Sequence, residues 1–131
     1  ENAAIQRLTD SVAAVRSGRE IADAQAPLGL SASYWQSMEA VKPVAEARAI
    51  PQPLLFLQGA RDIQVVDADW QGWKAAFHDS PRATFKLYES LNHLAIPGEG
   101  DGTLQEYQTA GHVDAALIAD IAAWIGAHPS K

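Results

Sequence analysis

The fold is decided by residues 53–88, which read PLLFLQGARDIQVVDADWQGWKAAFHDSPRATFKLY. The first seven residues form a short apolar run ended by a glycine, which is typical of a strand buried on both faces. The last six, ATFKLY, alternate apolar and polar side chains and predict a second strand. Between them, Asp67 is expected to cap a helix that runs to about His78. The side chains expected to face inward on this helix are Trp70, Trp73, Ala76 and Phe77.

A strand, a helix and a second strand in this order predict a parallel crossover, because parallel strands need a long connection. The carboxyl ends of both strands then lie at the same edge of the sheet. In open α/β sheets this edge is where ligands bind. We therefore expect an α/β fold whose functional residues follow the two strands.

The segments outside this unit are expected to be helices and loops. Residues 3–17 place apolar side chains at three- and four-residue spacing, which predicts an amphipathic helix that ends near Gly18. A short helix is expected over residues 34–40 and another turn over residues 43–48, after Pro43. Residues 97–111 are a glycine-rich loop, and residues 113–125 predict a final helix with an apolar stripe.

Composition excludes several classes of protein. With 47% apolar and 20% charged residues among 131, the chain has the composition of an ordinary soluble globular protein. A net charge of −6 disfavours nucleic acid as a partner, because phosphate binding relies on Lys and Arg. No apolar run approaches the roughly 20 residues that span a bilayer, so no membrane partner is expected. The absence of cysteine excludes disulfides and leaves the compartment open.

Two residues that can carry chemistry follow the predicted strands. Asp62 lies three residues past the first strand and His93 five residues past the second. The crossover would bring them to the same sheet edge, where a carboxylate can orient an imidazole and leave its second nitrogen free as a base. Each residue also has an ordinary local interpretation, because an Asp often closes a turn after a strand and His93 could be a structural loop histidine.

The stretch from Leu28 to Ile125, about three quarters of the chain, resembles the C-terminal part of α/β-hydrolases of the dienelactone hydrolase and prolyl-oligopeptidase-like type. The matching segments, in chain order, are Leu28-Gly29-Leu30, Tyr34-Trp35, KPVAEA at 42–47, PLLFLQGARDIQV at 53–65, Leu91-Asn92-His93-Leu94, Gly98-Glu99-Gly100, Gly111-His112-Val113 and the last helix. Each segment is weak alone, and the combination is specific.

The resemblance implies a serine hydrolase that cleaves an ester or amide through an acyl-enzyme. Matched position by position, Asp62 would be the triad acid and His93 the triad histidine. Residues 1–50 would be a cap-like helical segment, and residues 51–131 the C-terminal part of a three-layer α/β-hydrolase core. No cofactor and no metal are implied, and the substrate would be a small-molecule ester or amide.

The sequence departs from the family at the nucleophile. The family carries a serine on a Gly-x-Ser-x-Gly elbow between a strand and a helix. The nearest string, Gly29-Leu30-Ser31-Ala32-Ser33, lacks the last glycine and follows no predicted strand. We therefore expect Ser31 not to be the nucleophile and the nucleophile-bearing segment to lie upstream of Glu1. The chain would then be a fragment that is inactive alone.

A second interpretation belongs to a different class. The chain could be a non-catalytic module, derived from a hydrolase, that acts through association. Two parallel strands make a small sheet with unpaired backbone groups at its edges. The expected partner is therefore the missing N-terminal half or another copy of the chain, which would give a homo-oligomer.

Overall fold

The computed structural model describes residues 2–129. Contacts divide the chain into two compact units, one up to Ala49 and one from Ile50 onward. The predicted roles of the two parts, a cap-like segment and a hydrolase core, remain predictions.

The first unit is helical. Helix α1 spans Asn2–Arg16, α2 spans Ala32–Ala40 and α3 spans Pro43–Ala49, with two short 3₁₀ turns between α1 and α2. The predicted first helix is thus confirmed, and Gly18 ends it with a φ of 69° that suits glycine. The predicted apolar face is only partly buried, since Val15 is 6% exposed but Ile5 is 58% exposed.

The second unit contains the strands. Strand β1 spans Leu54–Gly59, helix α4 spans Asp67–Ala76, strand β2 spans Ala83–Tyr88 and helix α5 spans Ala115–Ala127. The strands are parallel, in a register that pairs the first residue of β1 with the first of β2 and the last with the last. Both predicted strands and the predicted parallel crossover are confirmed.

The two helices of the second unit cover opposite faces of the sheet. On one face Phe56 stacks on Phe85 with ring centroids 4.7 Å apart, and Trp70 of α4 meets Phe85 edge-on at 5.4 Å. On the other face Trp124 of α5 donates its indole N–H to Thr84 Oγ1 at 3.3 Å. Adjacent residues of a strand point to opposite faces, so Thr84 and Phe85 place α5 and α4 on the two sides. This arrangement is compatible with part of an α/β fold.

Three local predictions were imprecise. Asp67 is the first residue of α4 rather than its cap, and the Asp69 carboxylate accepts the Val66 N–H at 3.1 Å instead. The β1 run is half-buried throughout rather than fully buried, because β1 has only one neighbouring strand among the described residues. The glycine-rich loop contains a 3₁₀ helix at Leu104–Gln108 that no sequence periodicity indicated.

No helix among residues 2–129 is long and apolar enough to cross a membrane.

Candidate active site

The turn after β1 is closed by the side chain of Asp62. Its Oδ1 accepts the backbone N–H of Gln64 at 2.8 Å and that of Val65 at 2.9 Å. The side chain is 9% exposed, so it is held below the surface. The local structural interpretation of Asp62 is therefore correct, and it leaves Oδ2 available for a further partner.

The turn after β2 is closed by Asn92. Its Oδ1 accepts the backbone N–H of Leu94 at 3.0 Å and that of Ile96 at 3.1 Å, while its own backbone N–H donates to the Ile96 carbonyl at 3.1 Å. Asn92 is 4% exposed. His93 lies inside this closed turn, so the position of its backbone follows that of Asn92.

The two turns bring Asp62 and His93 together. The distance from His93 Nδ1 to Asp62 Oδ2 is 2.9 Å, and that to Oδ1 is 3.1 Å. The imidazole is 36% exposed, and its Nε2 has no hydrogen-bond partner among the described residues. The arrangement is a carboxylate that holds one nitrogen of a partly exposed imidazole.

Hydrogen bonding keeps Asp62 ionised. Burial raises the pKa of its carboxyl group, but hydrogen bonds from the Val65 N–H, the His93 ring and the Gln64 N–H outweigh burial and lower this pKa below its ordinary value of 3.8. A carboxylate can only accept, so Nδ1 of His93 carries the proton that joins the pair. In the neutral imidazole Nε2 is then the basic nitrogen.

The close approach of the two turns depends on glycine at the end of β1. A Cβ built on Gly59 would lie 2.3 Å from the Leu91 carbonyl oxygen and 3.2 Å from that of Asn92. The Arg61 N–H donates to the same Leu91 carbonyl at 3.0 Å. Any other residue at position 59 would push apart the backbones that carry Asp62 and His93.

Sequence reasoning missed three residues around this pair: Arg61, Glu106 and the structural part played by Asn92. Arg61 and Asn92 are the buried polar residues of the described chain, 8% and 4% exposed. Arg61 directly precedes Asp62 and Asn92 directly precedes His93, and this adjacency was the signal in the sequence that could have pointed to them. Glu106 lies in the glycine-rich loop, three residues after Thr103, and this capping-box spacing was the available signal, since its carboxylate accepts the Thr103 N–H at 3.2 Å.

Ser31 has a local role. Ser31 caps α2 by accepting the Tyr34 N–H at 3.2 Å, and no strand precedes it among the described residues. His112 is exposed. No group of three residues among 2–129 has the arrangement of a metal site.

A groove lies beside the pair. It has a volume of about 340 Å³, and its walls include consecutive β1 residues, Trp73 of α4 and Leu117 of α5 together with Asp62 and His93. The lining includes β1 and the turns that follow both strands, but no residue of β2, so the groove adjoins β1 near its carboxyl end.

Comparison with known proteins relates the chain to esterase-like hydrolases. The esterase EstD of Thermotoga maritima, a curated protein, is 34% identical over 107 residues. The aligned region is 82% of this chain and 26% of the esterase, so the chain spans about a quarter of the length of that relative. No protein-family model and no solved structure matches the chain.

Proposed function

We propose that the chain is the C-terminal fragment of a serine hydrolase that cleaves an ester or amide through an acyl-enzyme. The observation that carries this proposal is the 2.9 Å contact between His93 Nδ1 and Asp62 Oδ2 at the carboxyl ends of two parallel strands. In this reading residues 1–50 are a cap-like helical segment and residues 51–131 are the C-terminal part of the α/β-hydrolase core. The resemblance to dienelactone hydrolase and prolyl-oligopeptidase-like enzymes supports the family.

Each residue has a defined role in the proposed reaction. Nε2 of His93 takes the proton from a serine hydroxyl as its oxygen attacks the carbonyl carbon, and later gives that proton to the departing alcohol or amine. Asp62 holds the tautomer that makes this possible and stabilises the imidazolium when it forms. The reaction requires no metal or cofactor.

The nucleophile and the oxyanion hole belong to a segment outside these 131 residues. The sequence has no Gly-x-Ser-x-Gly elbow, and Ser31 is engaged at a helix end. We therefore propose that the chain alone is inactive and that the missing N-terminal half is its functional partner. The 26% share of EstD that the chain spans supports this reading.

A chimera tests the proposal. In it, this chain replaces the aligned quarter of EstD, and hydrolysis of p-nitrophenyl acetate is measured. We expect activity from the chimera and none from the chain alone. Replacing His93 by Ala in the chimera should reduce kcat by at least about 10³-fold, since the histidine acts as both base and acid.

The matched control is His112→Ala, which removes an exposed imidazole from the same unit and should leave kcat unchanged. A folded chimera whose activity survives His93→Ala would refute the catalytic role. Ester hydrolysis by the chain alone that disappears in His93→Ala would instead refute the fragment reading, because the nucleophile would then be within this sequence.

A non-catalytic, self-associating module is the second candidate. The open edge of β1 and its groove favour it. Under this reading the Asp62–His93 contact is structural only. A chimera that folds and lacks activity, together with a chain that forms a stable homo-oligomer, would favour the module over the enzyme fragment.

A further inference from the structure

We infer that Glu106 is a positioning residue, whose carboxylate ties Arg61 to Asn92 and thereby holds Asp62 and His93 against each other. Arg61, Glu106 and Asn92 together form a clamp. The inference rests on the proposed function for its catalytic meaning, but the geometry it concerns is independent of that function.

The clamp joins the two turns that carry the pair. Glu106 Oε1 accepts from Arg61 Nη2 at 2.6 Å, and Glu106 Oε2 accepts from Asn92 Nδ2 at 3.0 Å. One carboxylate therefore uses one oxygen for the residue before Asp62 and the other for the residue before His93. A displacement of either turn must break one of these two hydrogen bonds.

Each end of the clamp is fixed further. The Arg61 guanidinium also donates to the carbonyl of Gly100 at 2.6 Å and to that of Glu99 at 2.9 Å, which orders the glycine-rich loop around it. Asn92 has its Oδ1 fully engaged by the backbone of its own turn. Neither side chain can rotate to a new partner without leaving backbone groups unpaired.

Glycine residues make room for the clamp. A Cβ on Gly98 would lie 2.2 Å from Arg61 Nη1, and one on Gly102 would lie 2.0 Å from the Arg61 carbonyl oxygen. The glycine-rich loop thus covers a buried guanidinium, which accounts for glycine at positions 98 and 102.

Burial makes the clamp strong. The Arg61 side chain is 7% exposed and that of Glu106 is 27% exposed. Hydrogen bonds from Asn92 and then from Arg61 lower the pKa of the Glu106 carboxyl group, so it is ionised at neutral pH. A buried guanidinium that lost this carboxylate would be left uncompensated, which disfavours alternative positions of the loop.

The test exchanges the carboxylate of Glu106 and the amide of Asn92 in two steps. Glu106→Gln keeps the shape of the side chain. Its carbonyl oxygen remains as the acceptor for Arg61, but its NH₂ group then faces the NH₂ group of Asn92, so the hydrogen bond to Asn92 is lost. Adding Asn92→Asp restores a donor and an acceptor and returns the net charge to that of the natural chain. Both variants are isosteric with the original residues.

The readout is the Asp62–His93 hydrogen bond, followed by NMR on the whole chain. In Glu106→Gln we expect the downfield signal of the His93 Nδ1 proton to be lost to solvent exchange. We also expect the pKa of Asp62, measured from its carboxyl ¹³C shift, to rise toward its ordinary value because the His93 hydrogen bond weakens. In the double variant, the His93 Nδ1 proton signal and the pKa of Asp62 should return to their values in the natural chain.

Glu89→Gln is the matched control, since it removes an exposed carboxylate near the same turn and should change neither signal. A folded Glu106→Gln with both signals unchanged overturns the inference, as does a double variant no better than the single one. If Glu106→Gln does not fold, the double variant decides: both signals at the values of the natural chain support the clamp, and altered signals overturn it. Because none of these readouts is activity, a failed clamp is distinguishable from a failed hydrolase assignment.

Discussion

At the scale of the residue, Asp62 serves two purposes with one carboxylate. Its Oδ1 closes the turn after β1, and its Oδ2 holds His93. The turn interpretation and the functional interpretation are therefore not alternatives, because the turn is what fixes the direction of the oxygen that meets the imidazole. Substitution of Asp62 should affect stability and the His93 tautomer together.

The acid dependence of stability should change in Asp62→Asn. The pKa of Asp62 is lower in the folded protein than in the unfolded chain, so its contribution is fully present above the ordinary pKa of 3.8 and is lost as pH falls through the lowered folded value. The amide of the variant has no charge to lose, so the free energy of unfolding should fall less steeply below about pH 5. Urea denaturation at a series of pH values measures this.

Asp101→Asn is the control for that experiment, because Asp101 is an exposed acid in the glycine-rich loop. Asp101→Asn should leave unchanged the acid limb of the stability curve, which is the fall in the free energy of unfolding at low pH. An acid limb of equal slope in Asp62→Asn and the natural chain would contradict the proposed stabilisation of the ionised carboxylate.

At the scale of the element, the site depends on how closely two loops approach at the ends of neighbouring strands. The strands supply a fixed spacing through their register, which pairs Gly59 with Tyr88. The loops then converge because Gly59 presents no Cβ to the Leu91 carbonyl. The strand ends and this glycine together set the distance between the two side chains.

Gly59→Ala should therefore be destabilising and should disturb the pair. Its Cβ would meet fixed backbone at 2.3 Å rather than the end of a flexible side chain. We expect a loss of about 1–3 kcal/mol in the free energy of unfolding, as for overpacking elsewhere. The His93 Nδ1 proton signal should weaken in the same variant.

Gly72→Ala provides the comparison, because Gly72 lies in α4 and a Cβ there meets nothing within 4 Å. This change should be neutral or stabilising by up to about 1 kcal/mol, since Ala is the better helix former. Equal stability losses in the two variants would show that the close approach at Gly59 is not the cause.

At the scale of the whole molecule, the sheet of the second unit has two strands among the described residues. Leu54 donates its N–H to Arg82 and Ala60 donates its N–H to Tyr88, so even-numbered positions of β1 face β2. Backbone groups alternate in direction along a strand, so the odd-numbered positions direct theirs toward the open edge. Unpaired edge groups beside an apolar groove favour addition of another strand.

We predict that the isolated chain self-associates through this edge. Size-exclusion chromatography at two concentrations should give an apparent mass that rises with concentration. Leu57→Lys places a charge in the wall of the groove and should shift the protein toward monomer. Leu104→Lys alters a leucine that is 64% exposed in the glycine-rich loop and should not. A natural chain that is monomeric at both concentrations would contradict the prediction.

The sequence predicted the elements well where the local pattern was strong. The apolar run of β1, the alternation in β2 and the periodicity of α5 all produced the predicted element, with ends within about two residues, as expected for sequence-based boundaries. It failed at the cap of α4, where Asp69, the third residue of the helix, accepts the Val66 N–H. It also failed at the 3₁₀ helix of Leu104–Gln108, which is too short to have a detectable period.

The sequence predicted the two central residues of the candidate site but not the contacts that hold them. The sequence by itself determined that one carboxylate and one imidazole follow two parallel strands, because the order of strand, helix and strand fixes which strand ends share an edge. Only the tertiary structure decided that Gly59 is needed for the close approach and that Glu106 joins Arg61 to Asn92. Those contacts join residues that are far apart in the chain. Each depends on one backbone distance or on the direction of one side chain, and no local pattern of residue types encodes either.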